Sequence, residues 1–127
     1  MAIKKYMSKQ ILIIEDDEFF RELIAKKLNK SGFEFSLAIN GQEGVERMKT
    51  DKPALVFLDI LLPDVDGFDI LTKIKADKEI SSIPIIILSN LGQKEDIDKG
   101  LELGATDYLI KAQIDLDEIV EKIKKYI

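Results

Sequence analysis

Val56-Phe57-Leu58-Asp59-Ile60-Leu61-Leu62-Pro63-Asp64-Val65-Asp66-Gly67 is the stretch on which the reading of this chain turns. The apolar run Ala54–Leu58 has no polar alternation, so it reads as a strand buried on both faces. It ends abruptly at an acid, Asp59. Two further apolar residues, Pro63 and a turn-like Asp66-Gly67 then precede the next helical pattern. A carboxylate at the exit of a buried strand is costly unless something there uses it. The plainer alternative is that Asp59 only caps the following turn.

The same alternation of elements extends in both directions. Upstream, Ile11-Leu12-Ile13-Ile14 reads as a first strand ending in Glu15-Asp16-Asp17. Phe20, Leu23, Ile24 and Leu28 recur at helical spacing, and Ser31-Gly32 stops that helix. Phe33, Phe35 and Leu37 alternate with Glu34 and Ser36, as in a strand near a sheet edge. Asn40 with Glu43 resembles a capping box for a helix that buries Val45 and Met48, and Asp51-Lys52-Pro53 is a turn. Downstream, the helix after Gly67 lines up Phe68, Leu71 and Ile74, and Pro84–Leu88 is a fourth strand ending at Ser89-Asn90. The loop Leu91-Gly92-Gln93 leads to a helix carrying Ile97 and Leu101, closed by Gly104. Thr106–Ile110 is a fifth strand ending at Lys111, and Asp115 with Glu118 opens a last helix bearing Ile119, Val120 and Ile123. Residues 1–9 read as a flexible polar segment, with Met7 as an alternative start, and residues 10–127 as one domain. Five strands alternating with five helices predict an α/β fold, a doubly wound parallel sheet with helices on both faces.

Composition narrows the chemistry. The 127 residues are 46% hydrophobic and 34% charged with a net charge of -5, which suits one core and argues against a phosphate-tracking nucleic-acid surface. Lys122, Lys124 and Lys125 read as a solvated helix end that suits the macrodipole. With no cysteine and no histidine, disulfides, thiolate sites, histidine bases and the usual zinc ligand sets are excluded from this stretch. No run is long enough to span a bilayer and no signal peptide is visible, so no membrane association and a cytoplasmic location are expected.

In a parallel sheet the strand exits share one edge, where open α/β folds place their ligand crevice. That edge gathers Glu15, Asp16, Asp17, Asp59, Ser89 and Lys111. Each has a plainer reading: the acids favour a helix N-terminus, Ser89 is a turn residue, Lys111 is a solvated charge. Their coincidence at one edge favours a site. Clustered carboxylates repel unless a cation joins them, and an all-oxygen set suits Mg²⁺, with Mn²⁺ as the alternative. A lysine and a hydroxyl opposite would orient phosphate oxygens. Asp59 would then accept a phosphoryl group as an acyl phosphate.

At this point the chain resembles the receiver domain of two-component response regulators, from about Ile11 to Ile123. The resemblance rests on "ILIIEDD", "LDILLPDVDG", "IIILSN" and "GATDYLIKA" in order. It implies a flavodoxin-like five-stranded sheet in the order 2-1-3-4-5, with Asp59 as the phosphoacceptor. Asp16, Asp59 and the Leu61 backbone carbonyl would hold the metal directly and Glu15 through water, while Asp17 caps the helix. Ser89 and Lys111 would contact the phosphoryl group, and Ser89 with Tyr108 would form the switch, Tyr108 turning inward on phosphorylation. Two departures stand out. The family's lysine usually precedes a cis proline, whereas here Ala112 follows Lys111, so the peptide is either strained cis or trans with the placement of Lys111 at stake. Asn90 stands where a small residue is common. Leu61 and Leu91, apolar and beside the site, are expected to lengthen the acyl phosphate's life.

The implied donor is a sensor histidine kinase or phosphotransfer protein. The implied target is a downstream protein or an output domain outside this sequence, with no direct nucleic acid, and the chain is a monomer or a phosphorylation-dependent dimer. Catalysis would be limited to its own aspartyl phosphorylation and dephosphorylation. A haloacid-dehalogenase-type phosphohydrolase is the enzymatic rival, but Leu61 stands where its second aspartate would be. A degenerate receiver that never takes phosphate is the other rival.

Overall fold

A computed structural model describes residues 10–127; the expected flexible segment 1–9 and Met7 lie outside the described residues. The elements alternate as β1 (Ile11–Ile14), α1 (Glu18–Lys30), β2 (Phe35–Ala38), α2 (Gly41–Asp51), β3 (Leu55–Leu58), α3 (Gly67–Ala76), β4 (Ile85–Ser89), α4 (Lys94–Glu102), β5 (Asp107–Ile110) and α5 (Leu116–Tyr126). The five strands form one parallel sheet in the order β2-β1-β3-β4-β5. Every expected element is present, with boundaries within two residues. Pro84 lies just outside β4, where its carbonyl accepts from the Val56 N–H at 3.0 Å.

The apolar strands are buried on both faces because successive side chains point to opposite sides. Leu12, Ile14, Val56, Leu58, Ile85 and Ile87 face one core with Met48 of α2 and Phe68, Leu71 and Ile74 of α3. Ile11, Ile13, Leu55, Phe57, Ile86 and Leu88 face the other, with Ile24 and Leu28 of α1 and Ile119 and Ile123 of α5. β2 is an edge strand and is only half-buried, as its alternating pattern foretells. The helix starts carry the caps expected at Asp17, Asn40 and Asp115, and Asp66, expected only in a turn, is a fourth. Asp17, Asn40, Asp66 and Asp115 each accept a backbone N–H from the first turn they precede.

The inner face of α4 departs from expectation. Leu101, paired in the sequence with Ile97, is 45% exposed. The helix instead rests on Gly100, where a Cβ would lie 2.6 Å from Ile87 Cδ1 and 3.0 Å from Tyr108 Cδ2. The Tyr108 ring takes up the space beneath α4, so the buried line runs Ile97, Gly100, Leu103. A glycine contributes nothing to a hydrophobic periodicity, so the apolar spacing alone does not show this face.

Between β3 and α3 the chain turns back hard against itself. Gly67 N–H donates to the Ile60 carbonyl at 2.9 Å, and Leu61 bridges to Asp66. A Cβ at Gly67 would lie 2.4 Å from Ile60 Cα and 2.9 Å from the Asp59 carbonyl oxygen. These are backbone atoms that cannot step aside as a side chain can. Gly67→Ala is therefore expected to destabilise by about 1–3 kcal/mol. The change should appear as a lower urea midpoint at unchanged m-value, and an unaltered midpoint would show that the turn has slack.

Candidate functional site

Sheet register assembles the site. Ile14 pairs with Leu58 across β1 and β3, so the next residues, Glu15 and Asp59, leave neighbouring strands side by side. Ser89 pairs with Ile110, and Lys111 N–H extends that ladder to the Ser89 carbonyl at 3.0 Å. β1 and β3 are also where the strand order reverses, which opens the crevice.

Three acids and one lysine meet there. Glu15 and Asp59 are 2% and 4% exposed, and Asp16 is exposed beside them. One carboxylate oxygen from each of Glu15, Asp16 and Asp59 lies within 4.8 Å of the others. Lys111 Nζ stands 2.5 Å from Glu15 Oε1 and 2.7 Å from Asp59 Oδ2. The other oxygen of Asp59, Oδ1, accepts the Leu61 N–H at 3.0 Å. Burial pushes the Glu15 carboxyl up to about 7, aided by the nearby Asp59 charge and resisted by the Lys111 bond. Burial alone would draw Lys111 down; its bonds to Asp59 and Glu15 outweigh that and hold the ammonium above its ordinary range. With all four groups ionised, one cation faces three anions, and the surplus negative charge on hard oxygen donors fits a divalent cation.

The peptide after Lys111 is trans, as are all peptide bonds among the described residues. Lys111 nevertheless reaches both acids. It does so with its Nζ 4.9 Å above the Phe20 ring, an aromatic face that suits an ammonium. Phe20 had been assigned only to the core face of α1. Arg21 was missed as well: its Nη1 donates to the Glu15 and Asp16 carbonyls at 3.0 and 3.1 Å, pinning the turn that presents the acids. Asp17 is the α1 cap, its Oδ1 accepting the Phe20 N–H at 3.3 Å.

Ser89 is fully buried, and its Oγ accepts the Leu91 N–H at 3.3 Å. Tyr108 lies inward, buried beneath α4. Its hydroxyl donates to the Leu91 carbonyl, and Gly100 leaves room for the ring. Burial, with Asp96 and Asp59 nearby, pushes the phenol up to about 12, so it keeps its proton and remains a donor. Leu91 thus joins Ser89, through its N–H, to Tyr108, through its carbonyl. Asn90 is exposed. Leu61 is 53% exposed, and Leu91 is half-buried; both line a groove of about 450 Å³ over the β3–α3 loop, with Leu62, Val65 and Phe68. Lys122 is not merely solvated, for its Nζ pairs with Asp107 at 2.8 Å.

A family model described as the response regulator receiver domain matches residues 11–124. The chain belongs to the response regulator receiver domain family. Among curated proteins, this receiver domain is 42% identical over 102 residues to the transcriptional regulatory protein CusR of Escherichia coli, covering 80% of this chain and 44% of that protein. It is 34% identical over 115 residues to the DNA-binding dual master transcriptional regulator RpaA of Synechocystis, covering 91% of this chain and 47% of that protein. The chain therefore spans less than half the length of these relatives. Among solved structures, the BeF3-activated receiver domain of Klebsiella pneumoniae RstA superposes with a TM-score of 0.85 at 28% identity, covering 93% of this chain and 97% of that one. Response regulators receive phosphoryl groups from histidine kinases, so the family concerns signalling. Among the described residues, no helix is long and apolar enough to cross a membrane.

The raised Glu15 value carries a pH signature in metal-free protein. Between its ordinary value of 4.5 and about 7, the folded state keeps a proton that the unfolded state releases, so stability falls as pH rises through this window. The loss is expected to be on the order of 1–3 kcal/mol. Urea unfolding in chelator should show this decline for wild type and a flatter profile for Glu15→Gln. Parallel profiles for the two proteins would mean that Glu15 is not the titrating group.

Proposed function

We propose that this receiver domain accepts a phosphoryl group on Asp59 from a phosphohistidine of a sensor kinase or phosphotransfer protein, and that this changes its protein-binding surface. The observation that carries the reading is the buried Asp59 carboxylate, bonded to Lys111 and flanked by Glu15 and Asp16 at the crevice of the sheet. An Asp59 oxygen attacks phosphorus, a new O–P bond forms as the donor's N–P bond breaks, and the released imidazole takes a proton from solvent. Asp16, Asp59 and the Leu61 carbonyl would hold Mg²⁺ or Mn²⁺ directly, and Glu15 through water; the cation would supply charge neutralisation at the phosphoryl oxygens. Lys111, already against Asp59, is placed to follow a phosphoryl oxygen and hold it. A cytoplasmic location accords with such a donor.

The switch follows from the bonds of Leu91. If the Ser89 hydroxyl turns to a phosphoryl oxygen, it releases the Leu91 N–H, and the carbonyl of the same residue is held by Tyr108. A change at Asp59 is thereby passed to the surface of α4, β5 and α5, where a downstream protein or output domain would read it. The relatives described as transcriptional regulators support such an output, which is a property of proteins less than half of which this chain spans. The surface of α4, β5 and α5 also suits a phosphorylation-dependent dimer. Nothing in the site supports steady hydrolysis of phosphate esters, because Leu61 cannot serve as a general acid.

Intact-mass measurement after incubation with Mg²⁺ and acetyl phosphate is expected to show one base-labile phosphate adduct on wild type and none on Asp59→Asn. No adduct with any donor or metal would leave a degenerate receiver that acts only as a binding module. Apolar Leu61 and Leu91 each follow a site residue by two positions, after Asp59 and Ser89, so they are proposed to hinder water and prolong the acyl phosphate. The double variant Leu61→Asn, Leu91→Glu should lose phosphate severalfold faster than wild type. Slower loss would remove both residues from that role.

A further inference from the structure

The β3–α3 loop, residues 60–66, carries Leu61, whose N–H bonds Asp59 and whose side chain edges the groove. Its two ends are secured by the Gly67–Ile60 hydrogen bond and the Leu61–Asp66 bridge. Its outer turn, Pro63 and Asp64, is exposed and gains little from burial. Leu62 and Val65 on either side pack against the core, and one polar side chain ties the turn itself to another segment. Asp64 Oδ1 accepts the Gly41 N–H at 2.9 Å, and Oδ2 accepts the Gln42 N–H at 3.0 Å.

These are the first two N–H groups of α2. The next two are served locally, Glu43 by the Asn40 side chain at 2.9 Å and Gly44 by the Asn40 carbonyl at 3.0 Å. Asn40 is thus already the cap that the helix start requires. Asp64 comes from 22 and 23 residues away and adds a second, two-pronged contact, so it ties two segments together as well as completing a helix end. Its negative charge also sits at the positive pole of α2. Close approach is built in at the same point. A Cβ on Gly41 would lie 2.6 Å from Val65 Cγ2 and 3.0 Å from Ile70 Cγ1, so a larger residue would push the loop away.

We propose that Asp64 is a positioning residue, which clamps the β3–α3 loop onto the first turn of α2 and so holds Leu61 in register with Asp59. The role in phosphoryl chemistry rests on the function proposed above; the clamp does not. A carboxylate bonded through both oxygens restrains rotation as well as distance, and only two residues separate Asp64 from Leu61 in the chain. Loosening this contact frees the backbone that presents the Leu61 carbonyl, N–H and side chain together. The sequence gives no hint of it, since an acid in a turn is ordinary and its partner lies on another loop.

The test compares Asp64→Ala with Asn40→Ala, which uncaps the same helix without touching the loop, and with Asp64→Asn, which keeps one acceptor oxygen. Amide hydrogen exchange of residues 61–66 in metal-free protein, Mg²⁺ affinity by calorimetry and phosphoryl half-life after acetyl phosphate are measured on each. Asp64→Ala is expected to speed exchange in this loop, weaken Mg²⁺ binding by about tenfold and shorten the phosphoryl half-life. Asn40→Ala should lower thermal stability and leave all three at wild-type values, and Asp64→Asn should fall between wild type and Asp64→Ala. Equal loop exchange in the two alanine variants overturns the clamp and reduces Asp64 to a second helix cap. Faster exchange with unchanged Mg²⁺ affinity and half-life overturns its role toward Asp59. A wild type that takes up neither Mg²⁺ nor phosphate overturns the functional reading, while the exchange comparison still decides the clamp.

Discussion

Lys111 holds two buried carboxylates at the ends of adjacent strands, and the neighbourhood of the site is arranged around that triangle. Glu15 and Asp59 leave β1 and β3 side by side because the sheet is parallel and in register there. Two ionised carboxylates so placed, with Asp16 next to them, would repel and protonate without a cation. The ammonium at 2.5 and 2.7 Å supplies one. It does not balance all three acids, and that imbalance gives the site its chemistry. Glu15 remains partly reluctant to ionise, and the cluster retains charge for a divalent cation and the phosphoryl group it would accompany.

A constellation of this kind needs rigid supports, since the acids, the lysine and the hydroxyl arrive from four different strand ends. The supports are mostly backbone bonds made by residues with no chemistry of their own. Arg21 pins the carbonyls of Glu15 and Asp16, Phe20 lies beneath the Lys111 ammonium, and Gly67 packs against Ile60 and Asp59. Leu91 takes a bond from Tyr108 at its carbonyl and gives one to Ser89 from its N–H. The polar groups at the strand ends and the elements around them are therefore joined by short hydrogen-bonded paths through loops, which can rearrange more readily than the packed sheet.

The trans peptide after Lys111 illustrates how the chain compensates for a departure from the family pattern. With Ala112 in place of the usual proline, local geometry no longer dictates where the lysine points. The ladder bond from Lys111 N–H to Ser89, the two carboxylates and the Phe20 face do so instead.

Strand and helix order, the edge position of β2, the helix caps and the identity of the polar residues at the strand exits were all legible in the sequence. These features are local: apolar runs, periodicity and cap residues act over a few positions, and a parallel sheet then brings the strand ends to one side. The inward place of Tyr108, the exposure of Leu101 and the roles of Phe20, Arg21 and Asp64 were not legible. Each depends on a partner more than four residues away, and in the case of α4 on a glycine whose contribution is the space it leaves. Which acids, hydroxyl and lysine this protein would use could be read along the chain, because strand chemistry records it. How they are held in register could not, because that rests on contacts between loops that meet only when the sheet and its two helical layers have packed.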